Sequence, residues 1–310
     1  MNYPLIKIGC ESFFNKYEIP NKDIELEKVI SEIYNIIKEL REEDYEFYTE
    51  LCESSYFVKI NSIYKYLAGR YDIEGFSSNL VNPYLSESMI LESDFGSVFT
   101  TSSGIIFFLS YFFPTIALKF FGGVGKVLKK IGDAISTLGK SAYYRYTVIL
   151  SKIDQCGPKC QVTESDLNTI FAKRAISTLG ASGNVKYAKK VQCLIDCFFT
   201  NLVDLIVMNM KGHLICLIYT KNMKHYLDMN PKDLINLFRM PTLSAEDPCY
   251  IYLEVSHKLL MMLEEMMSFA YKNFPQKKTM IIDLLYQEVL KIKQELANKQ
   301  SSFKPQQNKN

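Results

Sequence analysis

Residues 97–118 read SVFTTSSGIIFFLSYFFPTIAL, a run of 22 residues without a charged side chain. Lys119 interrupts the run, and two phenylalanines at 120 and 121 extend it. A helix that crosses a bilayer needs about 20 mostly apolar residues. Pro114 would kink such a helix, and membrane segments tolerate this better than soluble helices do. We therefore predict that residues 97–121 insert into a membrane.

The most apolar part of this segment, residues 105–121, is shorter than a full span, because residues 100–103 are polar. Two alternatives to a span are a buried core helix and a hydrophobic hairpin bent at Pro114. The side chains predicted to contact the bilayer core are Ile105, Ile106, Phe107, Phe108, Leu109, Phe112 and Phe113.

Residues 124–138 follow with the pattern of an amphipathic helix. Their apolar side chains share one helical face: Val124, Val127, Leu128, Ile131, Ala134, Ile135 and Leu138. Lys126, Lys129 and Lys130 lie off that face and are predicted to contact the headgroups of an anionic membrane. The alternative is an ordinary helix whose apolar face packs against the protein core.

Charge is distributed unevenly along the chain. Residues 1–96 carry 9 Lys/Arg and 18 Asp/Glu, whereas residues 97–224 carry 16 and 6. Basic residues collect on the side of a span that is not translocated, so we predict that the chain after the apolar segment is cytoplasmic or equivalent. The acidic N-terminal region would then lie across the membrane. The alternative is that acidic and basic helices pack together.

The chain has 310 residues, 48% hydrophobic and 13% aromatic, which excludes a wholly disordered protein. Apolar residues recur periodically over residues 21–51 and 56–67, and further helices are predicted at 185–221, which is long and apolar, and at 248–274 and 276–299. No alternating strand pattern occurs, so the predicted fold is all-α with a C-terminal helical bundle. The predicted division is an acidic region 1–76, a linker 77–96, the apolar segment 97–121, a basic-to-neutral domain 122–299 and a disordered tail 300–310.

Four cysteines form two C-x-x-x-C pairs, Cys156–Cys160 and Cys193–Cys197. Their spacing is compatible with four free thiols, with a four-thiolate zinc site, or with a helical hairpin that carries two disulfides. In the last case the pairs alone resemble those of the twin C-x-x-x-C chaperones of the mitochondrial intermembrane space, because the spacer here is longer. Cysteines at i and i+4 do not bridge each other, so any disulfide would join the two pairs. The cytoplasmic orientation favours free thiols.

No catalytic motif is present in a suitable context. The three histidines, His213, His225 and His257, lack the spacing of metal ligands and are interpreted as structural or surface residues. We predict a non-catalytic, membrane-anchored structural or interaction protein, such as an accessory subunit or scaffold, without cofactor or metal. Its predicted partners are an anionic lipid surface and other proteins, not nucleic acid. The alternative is a soluble all-α adaptor in which residues 97–121 form a buried core helix.

Overall fold

The computed structural model describes residues 1–20, 22–73, 135–161, 185–239, 246–273 and 277–302. Helices account for 86% of these residues, and the described part of the chain contains no strand. The predicted all-α fold is therefore confirmed. The apolar segment 97–121, the linker 77–96 and residues 303–310 of the predicted tail lie outside the described residues, as does most of the predicted amphipathic helix.

The helices are numbered here in chain order over the described residues. They are α1 (Tyr3–Tyr17), α2 (Lys22–Glu43), α3 (Tyr45–Glu53), α4 (Tyr56–Arg70), α5 (Lys140–Asp154), α6 (Cys156–Lys159), α7 (Val185–Lys221), α8 (Pro231–Arg239), α9 (Tyr250–Asn273) and α10 (Lys277–Ser302). A short 3₁₀ helix, Lys224–Leu227, lies between α7 and α8.

Two helices at the N-terminal end differ from the prediction. The predicted helix over residues 21–51 is broken at Asp44, whose carboxylate accepts a hydrogen bond of 3.0 Å from the backbone N–H of Phe47 and so begins α3. Helix α1 was not predicted. The Asn2 side chain accepts a hydrogen bond from the backbone N–H of Leu5 at 3.2 Å, and Pro4 occupies the first turn, where its missing N–H costs nothing.

The chain folds into two compact units, and the described residues of the first are 1–20, 22–73, 136–161 and 185–201. Its core is built from one face each of α1, α2, α3, α4 and α5. Six apolar residues spaced at three and four along α2 point into it: Val29, Ile30, Ile33, Ile36, Ile37 and Leu40. Tyr144 of α5 is fully buried in the same core.

The second unit contains residues 135, 202–239, 246–273 and 277–302 of the described chain. Residues 136–161 and 185–201 thus pack with the N-terminal helices, whereas the predicted domain 122–299 groups them with the residues that follow. The reason is that α5 supplies apolar and basic side chains to acidic helices far away in sequence. Helix α7 contributes residues 185–201 to the first unit and residues 202–221 to the second.

Helix α7 has the predicted bounds, and it is mostly buried. Within it, residues 192–221 form the one helix in the described part of the chain that is long and apolar enough to cross a membrane, with mean hydropathy 1.6. Yet 71% of its apolar window is buried inside the protein. The core helix of a soluble protein can have the same composition, and the burial agrees with the interpretation of α7 as a buried central helix.

Candidate functional site

Helices α4 and α5 run antiparallel through the core of the first unit. The hydroxyl groups of Ser62 and Tyr144 lie 3.2 Å apart, and the ring of Tyr66 contacts that of Tyr144 with centroids 5.8 Å apart. Near the end of α4, the Tyr143 hydroxyl occupies the space that a Cβ would need at Gly69. Because the two helices are antiparallel, the C-terminal end of α4 lies beside the N-terminal end of α5.

One largely buried carboxylate joins these two helix ends. Glu32 of α2 pairs with Lys140, at 2.6 Å, and with Arg70, and it accepts a hydrogen bond of 2.7 Å from the Tyr66 hydroxyl. Burial alone would raise the pKa of Glu32, but these hydrogen bonds and the Arg70 charge outweigh it and lower the pKa. Arg70 also pairs with Glu25 at 3.1 Å. The resulting surface, with Arg70, Tyr71, Lys140, Glu25 and Glu32, is called here the α4–α5 end.

This geometry fixes where the chain leaves and re-enters the first unit. Residues 74–134, which include the apolar segment, begin just after Arg70 and end just before Lys140. Both flanks belong to one hydrophobic core. A shared core does not suit a single span between the acidic N-terminal region and the following basic region, and the orientation of the chain relative to a membrane stays a prediction. The alternative, in which acidic and basic helices pack together, is observed for α5.

Three basic residues of α5 carry this packing. Lys140 pairs with Glu32, Arg145 with Asp44, and Lys152 with Glu50. The Arg145 guanidinium also lies 4.5 Å from the ring centroid of Phe47, a cation–π distance. The positive charge of α5 is thus used within the protein. The predicted membrane-contact residues, from Ile105 to Phe113 and the three lysines at 126, 129 and 130, lie outside the described residues.

The two C-x-x-x-C pairs are joined by disulfides, Cys156 to Cys197 and Cys160 to Cys193, each with Cα atoms 5.7 Å apart. The prediction of free thiols is therefore wrong, and a zinc site built from these four cysteines is excluded because none of them keeps a thiolate. The i, i+4 spacing places both cysteines of a pair on one helical face. Antiparallel contact between residues 156–160 and α7 then brings the first cysteine of one pair to the second of the other.

An open cleft of about 940 Å³ lies beside these disulfides in the first unit. Its walls carry both signs of charge: Glu50 and Glu53 from α3, Lys152 and Lys159 near the first cysteine pair, and Asp196 from α7. Asn201, also in the wall, donates a hydrogen bond of 2.7 Å to the Cys197 carbonyl. The cleft offers polar partners of either charge, and no sequence motif pointed to it.

A third disulfide, Cys216–Cys249, lies in the second unit and was not predicted. It ties the segment before α9 to α7. Two further contacts act at the same place: Lys221 pairs with Asp247, and the ring Nδ1 of His213 donates to the Cys249 carbonyl at 3.1 Å. The interpretation of His213 as a structural residue agrees with this contact. Because its ring is buried, the pKa of His213 is lowered to about 4.

This histidine predicts a pH dependence of the second unit. An unfolded histidine binds a proton near pH 6.5, whereas folded His213 binds one only near pH 4. Between pH 4 and pH 6.5 the unfolded state therefore binds more protons than the folded state. The contribution of His213 to the free energy of unfolding is fully present above pH 6.5 and is lost as the pH falls towards 4. From pH 7.5 to pH 5 we expect His213 to account for a loss of about 2 kcal/mol in the free energy of unfolding.

Urea unfolding at the two pH values, compared between the wild type and His213→Gln, measures this contribution. The glutamine amide keeps a donor for the Cys249 carbonyl but does not titrate, so the variant should lose less stability on acidification. Carboxylates other than Asp247, whose pKa the His213 charge helps to lower, titrate alike in both proteins and cancel in the comparison. An equal loss in both proteins would show that His213 is not the responsible group.

No family model matches this chain, and no curated protein or solved structure was found to be similar to it.

Proposed function

We propose that this chain is a non-catalytic helical interaction protein that residues 97–121 anchor to a membrane as a bent hairpin, with both folded units on the same, oxidising side. The observation that carries the proposal is the adjacency of Arg70 and Lys140 on Glu32. Residues before and after the apolar segment share the core of the first unit, which suits a hairpin that returns to its own side and does not suit a single span.

The sequence of the apolar segment suits a hairpin. Pro114 stands near the middle of residues 105–121, where it interrupts helical hydrogen bonding. The arms on either side, residues 105–113 and 115–121, would each be about 10–14 Å long as helices. The hydrocarbon core is about 30 Å thick. Each arm therefore reaches about halfway, and the hairpin stays within one leaflet.

The disulfides support the placement on an oxidising side. Disulfides persist in secreted, lumenal and comparable compartments and are rare in the cytosol. Here they occur in both units. The charge rule for spans compares loops on two sides of a membrane, and it does not apply to a hairpin that returns to its own side. Lys126, Lys129 and Lys130 would then serve to attract anionic headgroups on that side.

The second candidate is a soluble all-α adaptor in which residues 97–121 are a core helix. The ion pairs of α5 with Glu32, Asp44 and Glu50 favour it, because they explain part of the charge asymmetry without a membrane. The two candidates differ in membrane extraction. An inserted hairpin resists alkaline carbonate, whereas an adaptor is released from membranes by it.

Phe108→Lys tests the insertion directly. A charge at the centre of a spanning helix costs about 2.5–3.5 kcal/mol on insertion scales. Phe108 lies partway along one arm of the hairpin, so the cost is smaller there, and we expect the variant to shift from the carbonate-resistant pellet towards the supernatant. Thr101→Lys, in the polar start of the segment, is the matched control and should stay in the pellet. A Phe108→Lys variant that is folded by circular dichroism and pellets like wild type would contradict the membrane anchor.

Protease protection in sealed vesicles tests the topology. Epitope tags placed at residue 1 and after residue 310 should both be protected, or both be cleaved, because a hairpin leaves both units on one side. Protection of one tag alone would show an odd number of crossings and would rule out the hairpin. Detergent treatment, which exposes both tags, is the control for protease access.

A further inference from the structure

The cleft in the first unit gives access to one side of both disulfides there. Cys193 and Cys197 of α7 are half-buried and line the cleft. Their partners, Cys160 and Cys156, are buried and are not among its lining residues. The rate of thiol–disulfide exchange depends on which sulfur the attacking thiol can reach. A thiol that enters the cleft would therefore attack a sulfur of α7.

A buried amide distinguishes the Cys156–Cys197 bond from its neighbour. Asn201 lines the cleft, is 7% exposed, and places its Nδ2 atom 3.9 Å from the Cys156 sulfur and 3.7 Å from the Cys197 sulfur. One N–H of this amide donates to the Cys197 carbonyl, and the other stays available for sulfur. Attack on Cys197 develops negative charge on the departing Cys156 sulfur, which a nearby donor stabilises. Among the described residues, no side chain donates to the Cys160–Cys193 sulfurs.

The cleft also presents two charges that are not used within the described part of the chain. The side chains of Glu53, at the C-terminal end of α3, and of Lys159, in α6, are exposed and have no partner among the described residues. Lys152, in contrast, pairs with Glu50 and is mostly covered. One available carboxylate and one available ammonium group complement a ligand that carries both signs of charge.

We propose that the cleft binds a small zwitterionic thiol, with ammonium and carboxylate groups, and that this thiol exchanges with the Cys156–Cys197 disulfide at Cys197. The thiol gives its proton to solvent and its sulfur bonds to the Cys197 sulfur. The Cys156–Cys197 bond breaks, and Cys156 leaves as a thiolate that takes up a proton, so the incoming sulfur is oxidised and Cys156 is reduced. The Cys156 sulfur lies 3.6 Å from the Lys152 carbonyl oxygen, which can accept from the new thiol. The proposal does not depend on a membrane anchor.

Reduced glutathione is the probe, and the full-length protein is used after its half-buried free thiol, Cys52, has been blocked with N-ethylmaleimide. Samples are quenched with acid, new thiols are labelled with a second reagent, and mass spectrometry of the peptides locates both groups. Early in the reaction we expect glutathione on Cys197 and label on Cys156. The third disulfide, which lies outside this cleft, should open later. A first adduct on Cys193, earlier opening of the third disulfide, or no exchange at Cys197 would overturn the proposal.

Asn201→Ala tests the contribution of the amide. We expect exchange at Cys197 to slow about tenfold, because a hydrogen bond to a developing charge is lost. Opening of the third disulfide should keep its rate, and circular dichroism checks the fold. An unchanged rate at Cys197, or equal slowing of both bonds, would overturn the role of Asn201.

Lys159→Glu tests recognition of the zwitterion without disturbing the core, since this side chain is exposed and unpaired among the described residues. Exchange with glutathione is compared with exchange with 2-mercaptoethanol, which carries no charge. The ratio of the two rates at Cys197 should fall severalfold in Lys159→Glu. Lys38→Glu, an exposed position of α2 that does not line the cleft, makes the same change in net charge and should keep the wild-type ratio. Equal ratios in the two variants would overturn a zwitterionic ligand.

Discussion

Replacing Cys216 and Cys249 together by alanine is expected to lower the free energy of unfolding of the second unit by about 4 kcal/mol. The bond joins residues 33 apart, and removing it frees that loop in the unfolded chain. The Lys221–Asp247 pair and the His213 hydrogen bond remain, so the segment before α9 should stay folded but be less stable. Denaturant unfolding followed by circular dichroism measures the change.

The comparison variant is Cys52→Ala, which changes a cysteine of the first unit and removes no crosslink, so it should leave the unfolding of the second unit unchanged. Thiol labelling of the denatured wild type gives an independent check of the bonds. It should find two thiols before reduction and eight after it, since six of the eight cysteines are paired. Equal counts before and after reduction would contradict all three disulfides.

Tyr144→Ala is expected to lower the free energy of unfolding of the first unit by about 4 kcal/mol, the cost of removing a large buried aromatic side chain. Tyr144 has no exposed surface, and its ring packs against Tyr66 of α4. Its loss opens a cavity where α5 meets the N-terminal helices. Burial also raises the pKa of the Tyr144 hydroxyl, so the group is neutral at all physiological pH values.

Tyr144→Phe is the matched variant, because it keeps the ring and removes only the hydroxyl that meets Ser62 at 3.2 Å. We expect it to cost about 1 kcal/mol, the net value of one hydrogen bond. In chemical denaturation the wild type should be the most stable of the three proteins, Tyr144→Phe intermediate and Tyr144→Ala the least stable. Similar stabilities for Tyr144→Ala and wild type would mean that α5 does not belong to the core of α1, α2 and α4.

Local patterns in the sequence predict much of the fold. The spacing of Val29, Ile33, Ile36 and Leu40 predicts the buried face of α2, because burial in a helix repeats with its turn. Asn2 followed by Pro4 is a signal that could have indicated the start of α1. Asp44 lies among acidic residues inside the stretch that is predicted as one continuous helix. Its role as a cap depends on the chain turning there.

Long-range pairing could not be predicted in the same way. The i, i+4 spacing of Cys156 and Cys160 gives a shared face but not the partner, which depends on how α7 approaches. Cys216 and Cys249 form no spacing pattern at all. The position of Lys140 against Glu32 likewise depends on the antiparallel packing of α4 and α5, which a linear sequence does not record.

The discontinuity of the first unit has a consequence for the order of events during biosynthesis. Tyr144 completes the core of α1, α2 and α4, and residues 74–134 separate α5 from the preceding described residues. At about 5–20 residues per second, a ribosome takes several seconds to make them. During that time the N-terminal helices lack α5, the last helix of their core, while the apolar stretch is translated. Synthesis of the apolar stretch thus precedes closure of the core, and the two disulfides of the first unit must wait until residues 193 and 197, respectively, have been made.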